Sequence, residues 1–519
     1  MTDALSIGTS WWELIANRAA ATPDRRFIAD EADRTLTFEQ FRSLAEEVAA
    51  GLFELGVRCD DVVSWQLPTT IEAAVLMAAL TRLGALQNPI IPILRRTEVA
   101  QITRQVGSRW MIVPGTYRNF DHTTMALDAT AESCTVLDTS TTGDETLRLP
   151  RADPSVLAAP LDPGSAVRWY YYSSGTTATP KGAMHTDASV MAASNAQIER
   201  LGLDQDDVFA IPFPLTHIGG IMLLTSYLRV GGVLLCIESF DPVTTPLVMA
   251  AHGTTILGSA TPFFHAYLAA QRRHGDEPLF TRFRQLQAGG APITPELNAE
   301  CVRVFASPVY NQWGLTEFPA ATSLGQGDAP EKFEGTVGRM APGCEIKVVG
   351  FDGEVVEAGA EGELLVRGPQ RLVGYVDPTL DEEAFDREGF FRTGDLGVID
   401  ADGFVRITGR LKDIIIRNAE NLSAQEMENV LSAHPAVADV AVIGLPDERT
   451  GERACALVVL ATGVDSISIP ELAEHCIASG LAKQKIPEQL EIVPELPRNP
   501  MGKVLKHELR ARYTSQETS

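Results

Sequence analysis

Eleven consecutive residues, Tyr172-Ser173-Ser174-Gly175-Thr176-Thr177-Ala178-Thr179-Pro180-Lys181-Gly182, combine hydroxyls, small side chains and one lysine. Such a segment suits a phosphate, because hydroxyls and unencumbered backbone N–H groups can ring its oxygens while the lysine adds a point charge. It is not a Walker A loop: Pro180 stands where the second glycine would precede the lysine, and Gly182 where Ser or Thr would follow. By itself such a segment is more often a flexible turn. Three more segments set compact polar turns just after strand-like runs: Pro214-Leu215-Thr216-His217-Ile218-Gly219-Gly220, Gly289-Gly290-Ala291-Pro292 and Trp313-Gly314-Leu315-Thr316-Glu317. Open α/β sheets bind ligands at the carboxyl ends of their strands. The last segment would display an aromatic plane for a base, a hydroxyl for phosphate and a carboxylate for Mg²⁺ within five residues. Ordinary roles compete with each: Trp313 as core, Glu317 as a solvated acid, His217 as a satisfied core histidine.

Two segments could hold a sugar and one a developing charge. Phe391-Arg392-Thr393-Gly394-Asp395 puts a carboxylate beside a glycine turn, and Gly409-Arg410-Leu411-Lys412-Asp413 follows it. The paired oxygens of Asp395 could accept from both hydroxyls of a ribose, with Arg410 donating to the same sugar; a buried Asp–Arg pair is the alternative. Asn499-Pro500-Met501-Gly502-Lys503 presents a lysine on a tight turn, suited to neutralise charge developing between a phosphate and an acyl oxygen, or else simply exposed.

The elements that must position these groups follow from periodicity. Thr37-Phe38-Glu39-Gln40 makes a capping box, and Phe41, Leu44, Ala45, Val48 and Leu52 then define one face of a helix that ends at Gly56. Short apolar runs (Val62 to Trp65, Leu86 to Ile90, Trp110 to Val113) alternate with helix-like stretches such as Ile71 to Leu83, the pattern of parallel sheets covered by helices. The expected fold is α/β: a large N-terminal domain over residues 1–411 with parallel-type sheets, then a small α+β domain over residues 412–519. In that small domain a second capping box, Ser423 to Glu426, opens a helix; strands are expected at Val437 to Ile443 and Ala454 to Leu460, and a helix from Pro470 to Leu481. Residues 138–165, rich in Thr, Asp, Pro and Ala, read as a surface connection.

Composition narrows the class of partner. A net charge of −25 over 519 residues disfavours nucleic acid or an anionic membrane as the main partner and favours a small substrate. If that substrate is anionic, basic residues must override the global field, and Arg498, Lys503, Lys506, Arg510 and Arg512 cluster near the C-terminus with one acid, Glu508. Seven widely spaced cysteines suggest neither a disulfide framework nor a zinc knuckle and fit a reducing compartment. The first residues lack a basic head followed by an apolar run, and the longest apolar stretch, Ala73 to Leu80, is far too short to span a bilayer, so the expectation is a cytoplasmic protein with no integral membrane segment.

Taken together and in this order, YSSGTTATPKG, WGLTE, FRTGD, GRLKD and NPMGKVLK resemble the signature of the adenylate-forming superfamily of acyl-CoA synthetases, peptide-synthetase adenylation domains and luciferases. The resemblance runs from about Trp11 to Arg512. It implies an ATP- and Mg²⁺-dependent ligase that turns a carboxylic acid into acyl-AMP and pyrophosphate, then into a thioester with coenzyme A. In its terms Ser173, Ser174, Gly175, Thr176, Thr177 and Lys181 hold the ATP phosphates, Thr316 touches the α-phosphate and Glu317 binds Mg²⁺. Gly289, Gly290, Ala291, Pro292, Trp313 and Gly314 frame adenine, Asp395 and Arg410 hold ribose, and Lys503 bridges phosphate and carboxylate. Lys412 is the hinge about which the small domain swings between half-reactions. His217 lies between acyl pocket and thiol channel, and Phe213, Leu215, Ile218, Gly290 and Phe318 line the acyl pocket. No Asp stands near Phe213 to anchor an α-ammonium group, which implies a neutral organic acid (short- or medium-chain, alicyclic or aromatic) over an amino acid. Two positions depart from the pattern, Ala178 and Ala419 standing where relatives carry glycine, and within Gln484-Lys485-Ile486-Pro487 only Lys485 is offered to a CoA nucleotide. A ligase that loads a carrier protein and a catalytically silent ATP-binding relative are the rival readings. The oligomeric state stays open, a homodimer being one state the reading allows.

Overall fold

The structure is a computed structural model that describes residues 4–6, 8–140, 147–173, 180–290, 293–418, 420–447, 449–498 and 504–516. Several expected site residues therefore lie outside the described residues: Ser174, Gly175, Thr176, Thr177, Ala178, Ala291, Pro292, Ala419 and Lys503.

The alternation of short apolar runs with helices becomes two large, mainly parallel sheets. Among the described residues a nine-stranded sheet has at its centre the parallel strands Val309–Trp313, Gln285–Gly289, Ile256–Ser259, Val208–Ile211, Val233–Cys236 and Arg26–Asp30. A seven-stranded sheet carries Val62–Trp65, Leu86–Pro89, Trp110–Val113 and Thr135–Asp138 in parallel beside Val167–Ser173, with Lys181–Thr186 antiparallel to that last strand. The expected strands at Val62 and Trp110 appear with their expected bounds, and the Thr37/Gln40 capping box opens the helix Phe38–Leu55.

Apolar residues from both sheets join one core with the helices between them, including Phe27, Val63, Trp65, Trp169 and Ile211. The helix Ile71–Leu83 buries nearly every face in this layer, which explains its unbroken apolar run from Ala73 to Leu80. Among the described residues no helix is long and apolar enough to cross a membrane.

Beside these lies a four-stranded antiparallel sheet, Glu345–Val349, Gly362–Arg367, Phe391–Ile399 and Val405–Arg410, of which the sequence pattern marks the strand-like run Phe404 to Thr408. Its strands Phe391–Ile399 and Val405–Arg410 carry the FRTGD segment and the junction arginine. From Ile414 onward the chain builds a separate five-stranded sheet. Its long hairpin, Val437–Asp447 with Gly451–Leu460, alternates strictly between two faces: Val442, Ala454, Ala456 and Val458 pack under the helices Ala424–Ser432 and Ile469–Ala478, while Ala441, Ile443, Cys455 and Leu457 pack under Leu509 and Tyr513 of the terminal helix Lys506–Gln516. The chain thus has a large α/β N-terminal domain and a smaller C-terminal one.

Candidate active site

Three of the sequence-predicted turns leave the same edge of the nine-stranded sheet. The Pro214–Gly220 segment follows Val208–Ile211, Gly289 ends Gln285–Gly289, and Trp313 ends Val309–Trp313, all members of the parallel set. The hydroxyl-rich segment is flanked by two strands of the other sheet: Val167–Ser173 and Lys181–Thr186 are antiparallel, with Ser173 opposite Lys181.

The FRTGD segment is not the turn that the sequence suggests. It lies inside the strand Phe391–Ile399, where Arg392 pairs with Leu365 and Leu396 with Glu363, so Thr393-Gly394-Asp395 bulge opposite Leu364 alone. Gly394 has φ +68°, and nothing lies within 4 Å of where its Cβ would stand, so backbone conformation and not space calls for glycine. The bulge sets Asp395 opposite Arg410 across the next pair of strands.

Asp395 is 3% exposed. Its Oδ2 accepts from the indole Nε1–H of Trp313 at 2.8 Å, and its Oδ1 lies 2.6 Å from Arg410 Nε. That second contact is close enough to be an ion pair but is misaligned as a hydrogen bond, and Oδ1 keeps no hydrogen-bond donor. The carboxylate is thus held by the Trp313 indole on one oxygen and faced by the Arg410 guanidinium on the other. The core and ligand roles of Trp313 are therefore not exclusive: its indole is buried and aims the acid that would take the sugar.

Glu317 is 7% exposed and Thr316 sits beside it. The hydroxyl of Tyr375 donates to Glu317 Oε1 at 3.0 Å, burial and the neighbouring carboxylate both holding that phenol protonated. Lys181 Nζ stands 6.0 Å from the centre of the Tyr375 ring, so the lysine of the hydroxyl-rich segment and the acid of the WGLTE turn meet at one tyrosine. His185 is fully buried, and its Nε2–H donates to the carbonyl of Thr316 at 2.9 Å. Sequence reasoning missed both His185 and Tyr375. His185 carried a usable signal, since it follows Lys181 at even spacing on one strand and so shares its face; Tyr375 carried none.

His217 caps the helix Ile218–Val230, and its Nδ1 accepts from the backbone N–H of Gly219 at 3.1 Å. The neutral ring must therefore carry its proton on Nε2. Its enclosure lowers its pKa to about 4, and burial does the same to His185 and His122. The unfolded rings titrate near 6.5, so between about 6.5 and 4 the unfolded chain binds more protons, and stability falls as pH falls. Urea midpoints should drop steadily from pH 7 to pH 5. A midpoint flat over that range would show that the rings ionise while the protein stays folded.

Other predicted residues divide. Phe213 is partly buried and meets the His217 ring edge-on at 6.3 Å, and Ile218 lines a cavity with His217 and Thr316. Gly290 has φ +81° with nothing within 4 Å of a Cβ, and exposed Gly314 would drive a Cβ into Ala320 N at 2.5 Å. Phe318 does not face a pocket: it is fully buried in the core with Trp313, Leu364 and Val366. Leu215 is likewise core, at 1% exposure. Lys412 lies on the short turn Leu411–Asp413 and keeps solvent contact, yet desolvation by the surrounding protein and then repulsion from Arg410 lower its ammonium to about 8.

The basic tail is not the anion patch that its composition suggests. Arg498 pairs with Asp439 at 2.6 Å, Lys506 with Glu428 at 2.7 Å and Arg510 with Asp413 at 3.0 Å. These cations tie the terminal segment to its own domain because the small domain supplies acids opposite them. Lys485 is similarly held by Glu426 at 2.6 Å. On either side of the segment 499–503, Arg498 and Val504 pair as neighbours.

This arrangement of a hydroxyl-rich segment between paired strands, a WGLTE turn and a bulged aspartate matches known proteins over nearly the whole chain. The profile of the AMP-binding enzyme family covers residues 15–376, and that of the AMP-binding enzyme C-terminal domain covers residues 426–503. The chain belongs to this family, within the adenylate-forming superfamily. It is 30% identical to the medium-chain fatty-acid–CoA ligase of Escherichia coli K12 over 95% of this chain and 88% of that one. It is 33% identical to the salicyl-AMP ligase / salicyl-S-ArCP synthetase of Mycobacterium tuberculosis over 95% of this chain and 89% of that one. The crystal structure of ATP-bound MatB from Rhodopseudomonas palustris superposes with a TM-score of 0.86 at 27% identity, covering 97% of this chain and 99% of the other.

Proposed function

We propose that this chain is an ATP-dependent acid–CoA ligase, converting a short- or medium-chain, alicyclic or aromatic carboxylic acid to its acyl-CoA through acyl-AMP and releasing AMP and pyrophosphate. The observation that carries this reading is the convergence on Trp313: one turn holds the proposed base platform, Thr316 and Glu317, while the indole N–H fixes Asp395 beside Arg410. Similarity to the medium-chain fatty-acid–CoA ligase supports the choice of acid and acceptor.

In this reading Lys181 and the hydroxyls of the 173–182 segment hold the triphosphate, and Asp395 takes the ribose hydroxyls with Arg410 beside it. Glu317, oriented by Tyr375, would hold Mg²⁺ together with substrate phosphates, as one carboxylate commonly does, and the ion would supply charge neutralisation as one anion attacks another. His185 fixes the backbone at Thr316 and thereby the direction of that hydroxyl. The domain boundary is placed after Leu411, with Lys412 as the hinge residue. Unpaired cysteines at all seven positions support a reducing cytoplasmic setting.

A carrier-protein acceptor is the second reading. The 33% identity to the salicyl-AMP ligase supports it. The deciding experiment is a panel of carboxylic acids with ATP, Mg²⁺ and CoA, reporting both AMP and thioester. The ligase reading expects AMP and acyl-CoA in equal amounts with at least one acid; AMP or acyl-AMP without acyl-CoA would transfer the assignment to carrier loading, and no pyrophosphate with any acid would refute adenylation.

A further inference from the structure

Buried polar atoms almost always find partners, so two partnerless hydroxyls on residues that line one cavity call for an explanation. Tyr171 and Thr216 are each 2% exposed, and both the Tyr171 phenol and the Thr216 Oγ1 are buried without a hydrogen-bond partner. They come from different sheets, Tyr171 from the strand Val167–Ser173 and Thr216 from the turn after Val208–Ile211. Both nonetheless line one cavity, together with His217, Ile218 and Thr316. The rest of the wall comes from Pro89, Ile90, Ile91, Leu94, Ile102 and Tyr172, whose own hydroxyl is already engaged by Gln105.

The cavity has room for about 20 Å³. A single water-sized group needs roughly 10–15 Å³ on the same measure, so the space fits one oxygen and not an alkyl chain. Its chemistry is neutral, since the lining contains no carboxylate or primary amine and His217 is uncharged near neutral pH. Two hydroxyls can donate to or accept from one such oxygen.

We infer that Tyr171 and Thr216 form a specificity subsite for a hydroxyl or carbonyl oxygen carried by the carboxylic acid substrate. The inference rests on the adenylation reading above, and its location follows from sequence proximity: Tyr171 is two residues before Ser173 of the hydroxyl-rich segment, and Thr216 directly precedes His217, beside the proposed acyl contacts. An acid lacking the oxygen would leave both hydroxyls buried and unpaired, and sites built this way discriminate strongly against such analogues.

The test is ATP–pyrophosphate exchange, with no thiol acceptor present, on the wild-type chain and on Tyr171→Phe and Thr216→Val, which keep side-chain shape and whose folding is checked by thermal melting. The probes are matched acids with and without one oxygen: the three hydroxybenzoates against benzoate, and hydroxy or oxo straight-chain acids of four to eight carbons against the unsubstituted acids. The expected result is a wild-type preference of about ten- to hundredfold in kcat/KM for one oxygenated acid over its partner, falling to within about threefold in each variant. A preference that both variants leave unchanged, or the absence of any such preference, would overturn the subsite and leave the cavity to a structural water. Variants that alter only the KM for CoA in the full reaction would assign the hydroxyls to the amide groups of the acceptor and likewise overturn it. Exchange with no acid at all would instead remove the adenylation reading itself, an outcome distinct from these.

Discussion

Replacing Lys503 by Ala is expected to lower adenylate formation by about 10²–10³-fold while leaving thioester formation from supplied acyl-AMP within about threefold of the wild type. The asymmetry follows from charge. In the first half-reaction a carboxylate approaches the α-phosphate, and the cost of bringing two anions together must be offset by cations placed where the charge develops. In the second, a thiol attacks a neutral carbonyl carbon of a mixed anhydride, and that demand is gone. Pyrophosphate exchange and a direct acyl-AMP-to-thioester assay, run on the same preparation with an acid found active, separate the two. Equal loss in both half-reactions would remove Lys503 from the role proposed for it, and with it the idea that the small domain delivers a lysine for one step and withdraws it for the next.

The Asp395→Asn exchange should raise the KM for ATP by about 10- to 100-fold and lower stability by about 2 kcal/mol. Asparagine keeps the shape and can still accept from the Trp313 indole. What it removes is the charge facing Arg410, whose side chain is 30% exposed and so regains only part of its hydration when the pair is broken. It also replaces one acceptor oxygen by an N–H₂ group that cannot accept from a ribose hydroxyl. Steady-state kinetics at saturating acid and a urea denaturation curve measure the two effects independently. A variant that is destabilised but keeps its ATP affinity would show a purely structural Asp–Arg pair.

Much of this architecture was legible because its determinants are local. The Thr37/Gln40 box, the strands at Val62 and Trp110 and the helix Ile71–Leu83 are written in spacing and capping, which act within a few residues. The identity of the site was legible for another reason: five short motifs in fixed order constrain one another far more than any one of them does. Illegible were contacts made across distant parts of the chain. Nothing around Tyr375 announces that its hydroxyl reaches Glu317, 58 positions away, or that Lys181 approaches its ring. The FRTGD segment reads as a turn because glycine usually marks one, and only its pairing with Gly362–Arg367 turns it into a bulge. The basic tail reads as an anion site because a sequence shows its charges without the acids that pair them.

The sequence by itself determined that this is an adenylate-forming enzyme of two domains, and it supplied most of the groups that would hold nucleotide, since those groups sit in motifs whose spacing is set by backbone geometry. Only the tertiary structure decided which side chains aim them. Trp313 directs Asp395, His185 directs the Thr316 backbone, Tyr375 directs Glu317, and Phe318 belongs to the core instead of the acyl pocket. The physical reason is that a hydrogen bond or a packed ring is fixed by distances in space, which chain folding sets between residues that no local rule connects.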